Sequence, residues 1–223
     1  MIFVIRPEPG LQSTLQAARE RGLPAVGLPL FEVMPRNWDA PDAEQFDALL
    51  LGSANALRYG GDKLAQYQSL PVHAVGEATA DAAREAGFQV AQTGEGGLQK
   101  VLDTVQQPTR FLRLAGVEKV PLTPPKGSTI TTREVYEVRA LPITGSAQVG
   151  LRAGDPLVLL HSAAAAQHFA AEVDRLGLDR GKMRLVCIGP RVEKAAGQGW
   201  AEVKSAPQPS DAELLALAAD MCH

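Results

Sequence analysis

Few side chains in this 223-residue chain carry nucleophilic or acid–base chemistry, and they lie apart. Of four histidines, His73 sits inside an apolar run, His168 in a helical stretch and His223 at the last position. Only His161 stands at the end of a strand-like run, beside Ser162. That pair raises a hydrolase reading, but adjacent residues on a strand point to opposite faces, which parts nucleophile from base. Tyr136, in "REVYEVRAL", is the remaining candidate. An aromatic in a strand is usually there for packing. With a reference pKa of about 10, however, a tyrosine is protonated at neutral pH and can donate a proton or a hydrogen bond.

Guanidinium forks are the natural partners of carboxylates. Arg6 closes "IFVIR", Arg113 lies in "RFLRLAG", Arg139 follows Tyr136, and Arg191 comes two residues after Gly189 at a helix start. Glycine-rich dinucleotide and phosphate loops, the G-x-S-x-G elbow and zinc-spaced Cys or His pairs do not occur. No cofactor and no metal are therefore expected. Cys187, in "LVCIG", reads as a buried small hydrophobe, and Cys222 lies near the C-terminus.

These side chains must be held by elements that alternate regularly. "IFVIR", "PAVGLPLF", "DALLLGS", "PVHAVG", "QVAQTG", "RFLRLAG", "STITTREVYEVRAL", "PLVLLHS", "RLVCIG" and "AEVKSAP" read as strands. "LQSTLQAARERG", "ATADAAREAG", "GLQKVLDTV", "AAAAQHFAAEVDRLG" and "AELLALAADM" read as helices. Apolar strands separated by helical crossovers imply an α/β fold, with parallel sheets covered on both faces. Small or hydroxyl-bearing turns follow many strands: Ser53, Gly76, Thr93–Gly94, Gly116, Ser162, Gly189 and Ser205. Each alone is explained by a turn or a helix cap. Together, on the edge where open α/β sheets bind ligands, they suit a large ligand with many acceptor groups.

The chain also repeats itself. "DALLLGSANALRYGG" parallels "DPLVLLHSAAAAQHFA", and "VHAVGEATADAAREAGFQVAQTGEGGLQKVL" parallels "RLVCIGPRVEKAAGQGWAEVKSAPQPSDAELLAL". The order of strand, turn, helix and strand agrees throughout, which predicts two domains of one build. Residues 38–132 form one domain. Residues 1–33 and 143–223 form the other, a discontinuous domain. Two β linkers, 34–37 and 133–142, cross between them as a hinge beside a cleft. Arg6 and Arg191 are expected on the cleft edge and Arg139 on a crossing.

Composition narrows the class further. The net charge of −3 argues against a general nucleic-acid binder, since neutralising phosphates needs a basic surface. No apolar stretch approaches the ~20 residues of a membrane span, and "MIFVIRPEPG" lacks the basic start of a signal peptide. A reduced cytoplasm is the expected location.

The order "IRP", "LLLGSANAL", "AVGEATADAAREAGF", "LAG", "VYEV", "LLHSAAA", "CIGPRVEKAAGQG" and "AP…SDAELLALA" resembles the uroporphyrinogen-III synthase (HemD) family along the whole chain. The resemblance implies two flavodoxin-like, HemD-type α/β domains joined by a two-stranded β linker, with a cleft between them. It implies a cofactor-free lyase, acting as a monomer, that closes hydroxymethylbilane, a linear tetrapyrrole with eight carboxylates, into uroporphyrinogen III. Water is lost, and the last ring inverts through a spiro-pyrrolenine. Transient contact with hydroxymethylbilane synthase is a further implication. Tyr136 matches the family's tyrosine that assists departure of the hydroxyl.

Around the substrate, the implied contacts are Arg6, Ser53, Ala54, Asn55, Gly76, Glu77, Thr79, Gly94, Gly116, Ser162, Ala163, Gly189 and Arg191, many of them through backbone N–H groups. The sequence departs from the family at Gly52, Ala115, Arg191 and Val192. Arg191 is expected to compensate as a carboxylate partner. The reading from another class is a non-catalytic two-domain module that closes on a small anion. Such a binder has no need of a proton donor at Tyr136.

Overall fold

In a computed structural model that describes residues 1–222, strands and helices alternate along most of the chain. Strand β1 (Ile2–Ile5) is buried at every position and leads into helix α1 (Gly10–Glu20) and β2 (Ala25–Gly27). Next come β3 (Phe31–Pro35), β4 (Ala48–Leu51), α2 (Asn55–Tyr59), β5 (Val72–Ala74), α3 (Glu77–Glu85), β6 (Val90–Thr93), α4 (Leu98–Asp103) and β7 (Arg110–Gly116). The long β8 (Thr129–Ala140) precedes α5 (Gly145–Arg152), β9 (Leu157–Leu160), α6 (Ala163–Arg175), β10 (Arg184–Cys187), α7 (Pro190–Ala196), β11 (Glu202–Ser205) and α8 (Asp211–Asp220).

The stretch "PAVGLPLF" departs from expectation, since it is not one strand. It divides into β2 and β3, which belong to different sheets, with Pro29 in the gap. Proline has no N–H to give to a ladder, so a strand ends naturally there. Helix α5 was not anticipated, its "GSAQVGLR" carrying two glycines that obscure the helical period.

The chain divides into two compact units. Unit 1 comprises Met1–Glu32 and the chain from Arg139 onward, and unit 2 is Val33–Val138. The unit 1 sheet has the order β11-β10-β9-β1-β2, with all its strand pairs parallel. The second sheet has the order β3-β8-β7-β4-β5-β6, parallel from β8 to β6. If β4 and β9 are each taken as first, both sets of five parallel strands run 5-4-1-2-3. β3 and β8 cross from one unit to the other as sheet neighbours. They run in opposite directions, with the Arg36 N–H on the Val135 carbonyl and the Leu141 N–H on the Leu30 carbonyl.

Central strands are apolar on both faces because both faces are covered. Ile2 and Val4 enter one core of unit 1 with Leu157, Leu159 and Leu214, while Phe3 and Ile5 enter the other with Val158, Leu160 and Phe169. In unit 2 the same alternation sends Leu49 and Leu51 to one core and Ala48 and Leu50 to the other. Edge strands β6 ("VAQT") and β11 ("EVKS") are only partly buried and accordingly more polar. No helix among the described residues is long and apolar enough to cross a membrane.

Candidate active site

Parallel pairing of β5, β4, β7 and β8 brings their carboxyl ends to one edge of the unit 2 sheet. There a cavity of about 360 Å³ opens. Its walls are Gly52 and Ser53 after β4, Val75 after β5, and Arg113–Gly116 at the end of β7. Gly97–Gln99 at the start of α4, residues 118–120 and Leu122 of the loop after β7, and Tyr136 of β8 complete it.

A bulge delivers Tyr136 to this site. The β7–β8 register runs Arg113↔Thr132, Leu114↔Arg133 and Ala115↔Glu134, then slips so that Gly116 faces Tyr136. The extra residue turns the side chain that follows, which is how bulges re-aim groups near active sites. The Tyr136 ring lies over Gly116, where an added Cβ would stand 2.7 Å from Cε2 and 2.8 Å from Cζ. The glycine is therefore needed for the ring's position. Among the described residues the Tyr136 hydroxyl has no hydrogen-bond partner, so its proton is free for a ligand.

Arg113 is the second feature of the cavity. It is 8% exposed, and among the described residues its guanidinium makes no hydrogen bond or ion pair, with Nε wholly buried. Burial lowers its pKa, an effect opposed by the nearby Tyr136. Lys119, in contrast, is committed, since its Nζ donates to Glu134 Oε1 at 2.6 Å and to the Val117 carbonyl at 3.1 Å. That bond, helped by Arg36, holds the Glu134 carboxyl below its ordinary range.

Of the residues singled out from the sequence, Ser53, Gly116 and Tyr136 line this cavity. Ser53 Oγ accepts the Asn55 N–H at 3.2 Å, with Ala54 and Asn55 opening α2. Gly76 and Glu77 begin α3, where the N–H groups of Gly76, Glu77 and Ala78 carry no hydrogen bond among the described residues. The Glu77 side chain is exposed and paired with Arg84 at 2.7 Å. Thr79 lies on the packed face of α3 with Ala80 and Ala83. Gly94 donates its N–H to the Ala74 carbonyl at 2.9 Å, and its missing side chain makes room for Val101, whose Cγ2 would lie 2.2 Å from an added Cβ. Packing explains that glycine.

The other singled-out residues belong to unit 1. Ser162 caps α6, its Oγ accepting the Ala165 N–H at 3.1 Å, and Ala163 is the first helical residue. Gly189 precedes α7, where Arg191 is exposed with no ion-pair partner among the described residues. Arg6 is not free. Its NH1 donates to Asp211 Oδ2 at 2.7 Å, to Oδ1 at 3.0 Å and to Thr14 Oγ1 at 3.1 Å, crossing over Gly10, where a Cβ would fall 2.1 Å from Nε. His161 is buried beside this group, its Nε2 3.3 Å from Asp211 Oδ1 without an aligned hydrogen bond. Burial first, then the Arg6 cation, pulls its pKa down to about 4, so the ring is neutral near pH 7.

Gln99 and Lys119 also line the cavity and were not singled out from the sequence, while Arg113 was noted as a guanidinium but not placed at the site. For Arg113 the signal was present, because a charge inside an apolar run in a doubly covered strand has few reasons to be there. Cys187 is inert, since burial pushes its thiol up to about 12. No three His, Cys, Asp or Glu side chains gather as a metal site among the described residues.

A family model described as "Uroporphyrinogen-III synthase HemD" matches residues 12–216. No curated protein sequence matches the chain. Among solved structures, uroporphyrinogen-III synthetase from Helicobacter pylori is similar at 20% identity and a TM-score of 0.68, over 99% of this chain and 98% of that one. A mutant uroporphyrinogen III synthase from Thermus thermophilus is similar at 13% identity and a TM-score of 0.53, over 100% and 99% of the two chains. At these identities the structural likenesses speak for the fold, and the family match speaks for the lineage.

Proposed function

The chain belongs to the uroporphyrinogen-III synthase HemD family, and from that premise we propose how its residues carry out the reaction. The activity is that of the family, a lyase that closes hydroxymethylbilane into uroporphyrinogen III. In our reading the Tyr136 O–H donates its proton to the hydroxymethyl oxygen as the C–O bond breaks, and water leaves. The azafulvene cation left behind bonds through its exocyclic carbon to the substituted carbon of the last ring, giving a spiro-pyrrolenine. Fragmentation and reclosure at the unsubstituted carbon invert that ring. The proton lost as the ring regains aromaticity restores the tyrosine, so the phenol ends unchanged.

The observation that best supports this reading is the Tyr136 hydroxyl, held over Gly116 in a cavity wall with no hydrogen-bond partner among the described residues. A free bilane closes without inversion, so the protein must mainly fix one conformation and stabilise developing charge. One weak acid in a shaped pocket suffices. For the acetate and propionate arms we propose Ser53, Ala54 and Asn55 at the start of α2, and Gly76 with the open N–H groups of Glu77 and Ala78 at the start of α3. A helix start favours anions through both those donors and its dipole. At the matching edge of unit 1, Ser162, Ala163, Gly189 and Arg191 are donors of the same type. The shared 5-4-1-2-3 strand order supports reading the two units as copies of one build.

The test is incubation with fresh hydroxymethylbilane, followed by isomer analysis of the oxidised porphyrins. An isomer ratio equal to that of the spontaneous reaction refutes the reading. Tyr136→Phe should lower kcat by roughly 10²–10⁴-fold, the usual worth of a positioned acid, with KM little changed.

A further inference from the structure

Resting on that reading, we propose that Arg113 anchors one carboxylate arm of the tetrapyrrole inside the unit 2 cavity and so sets where the reacting ring lies against Tyr136. Arg113 sits on β7 between Leu50 of β4 and Thr132 of β8. Phe111, two residues earlier on the same face, packs with Leu98, Val101 and Leu102. A cation on such a face is costly unless it is paired, and an arginine cannot escape the cost by losing its proton. Among the described residues nothing completes it. Arg113 has no carboxylate or carbonyl partner among the described residues, although Tyr136 stands close enough to act on it electrostatically. Of the other charged residues in the cavity wall, Lys119 is bonded to Glu134, and Glu118 is exposed and makes no ion pair with Arg113 among the described residues.

Geometry selects the ligand. Nε is sealed while the guanidinium borders a cavity of about 360 Å³, so the fork is presented to whatever enters. A planar, bidentate donor suits a carboxylate. A cavity of this size, at the small-ligand scale, suits one pyrrole ring and its arms rather than a whole macrocycle. Ala115, next along the same face of the strand, is small and leaves the opening clear. The arm held by Arg113 and the leaving group met by Tyr136 would then belong to neighbouring parts of one substrate, and the anchor fixes their register.

The experiment compares Arg113→Met and Arg113→Lys with the parent enzyme. It measures the melting temperature without ligand, uroporphyrin III binding by fluorescence titration, and KM and kcat with hydroxymethylbilane. Arg113→Met should keep or raise the melting temperature, because it removes an uncompensated buried charge. It should also weaken uroporphyrin III binding and raise KM by about 10–100-fold, the worth of a charge-assisted hydrogen bond, with a smaller change in kcat. Arg113→Lys should recover part of the binding. Unchanged binding in Arg113→Met overturns the proposal, as does a large drop in melting temperature with weaker binding that merely follows the unfolded fraction. If the parent makes no excess of the inverted isomer yet binds uroporphyrin III through Arg113, the synthase reading fails and the anchor stands. If the inverted isomer forms and Arg113→Met leaves KM unchanged, the anchor fails alone.

Discussion

Gly116→Ala tests whether the position of the Tyr136 ring, and not only its presence, sets the rate. The added methyl would stand 2.7 Å from Cε2, 2.8 Å from Cζ and 3.2 Å from the hydroxyl oxygen of Tyr136. Carbon atoms in contact settle about 3.5–4.0 Å apart, so the ring must retreat by roughly 0.8 Å or more. The Gly116 backbone does not resist the change, since it is absent from the glycines with left-handed φ. Tyr136 is only half-buried, so most of the strain is relieved by moving the ring rather than the sheet. A misplacement of about 1 Å in a reacting group costs on the order of 10²-fold in rate. We expect kcat to fall by about that factor and the melting temperature by only a few degrees, within the roughly 1–3 kcal/mol range of overpacking. The decisive assay is a double-mutant cycle with Tyr136→Phe, which has no hydroxyl left to misplace. Gly116→Ala should cost little further kcat in that background. An equal loss with and without the hydroxyl, or a kcat within threefold of the parent, refutes the reasoning.

Two further outcomes separate packing from chemistry. Gly94→Ala places a methyl 2.2 Å from Val101 Cγ2, so it should lower the melting temperature, by about 1–3 kcal/mol in stability, while the folded enzyme keeps its kcat. A rate loss without destabilisation would instead give Gly94 a role at the substrate. Burial of His161, aided by the Arg6 cation, lowers its pKa from 6.5 to about 4. The unfolded chain therefore takes up that proton first, and the associated stability is present above pH 6.5 and is lost as pH falls toward 4. In His161→Gln the fall of melting temperature across this window should be shallower than in the parent; parallel curves would show that His161 does not drive it. The window lies largely above that of Glu172, whose carboxyl Arg175 holds down at about 2 from an ordinary 4.5.

Much of the fold could be read from local pattern. Runs such as "IFVI", "ALLL" and "LVLL" have no polar face, and only strands covered on both sides tolerate that. Where the pattern was ambiguous the reading failed, as in "PAVGLPLF", whose two halves pair in different sheets. Of the candidate site residues read from the sequence, Ser53, Gly116 and Tyr136 line the unit 2 cavity, and they combine a strand position with a small or hydroxyl-bearing residue. Arg113 stood out inside an apolar run but was not placed at the site, because only the tertiary structure shows that no acid pairs with it among the described residues.

By itself, the sequence determined the alternation of strand and helix, the parallel class and the tyrosine able to donate a proton, because each follows from residue type and short-range period. Tertiary structure alone decided which cations are free. Arg6 is matched by Asp211, 205 positions away in the chain, whereas Arg113 meets no acid at all among the described residues. It also decided that a one-residue slip between β7 and β8 carries Tyr136 over Gly116. Pairing and register join residues distant in sequence, and no local pattern encodes which partner a side chain will find.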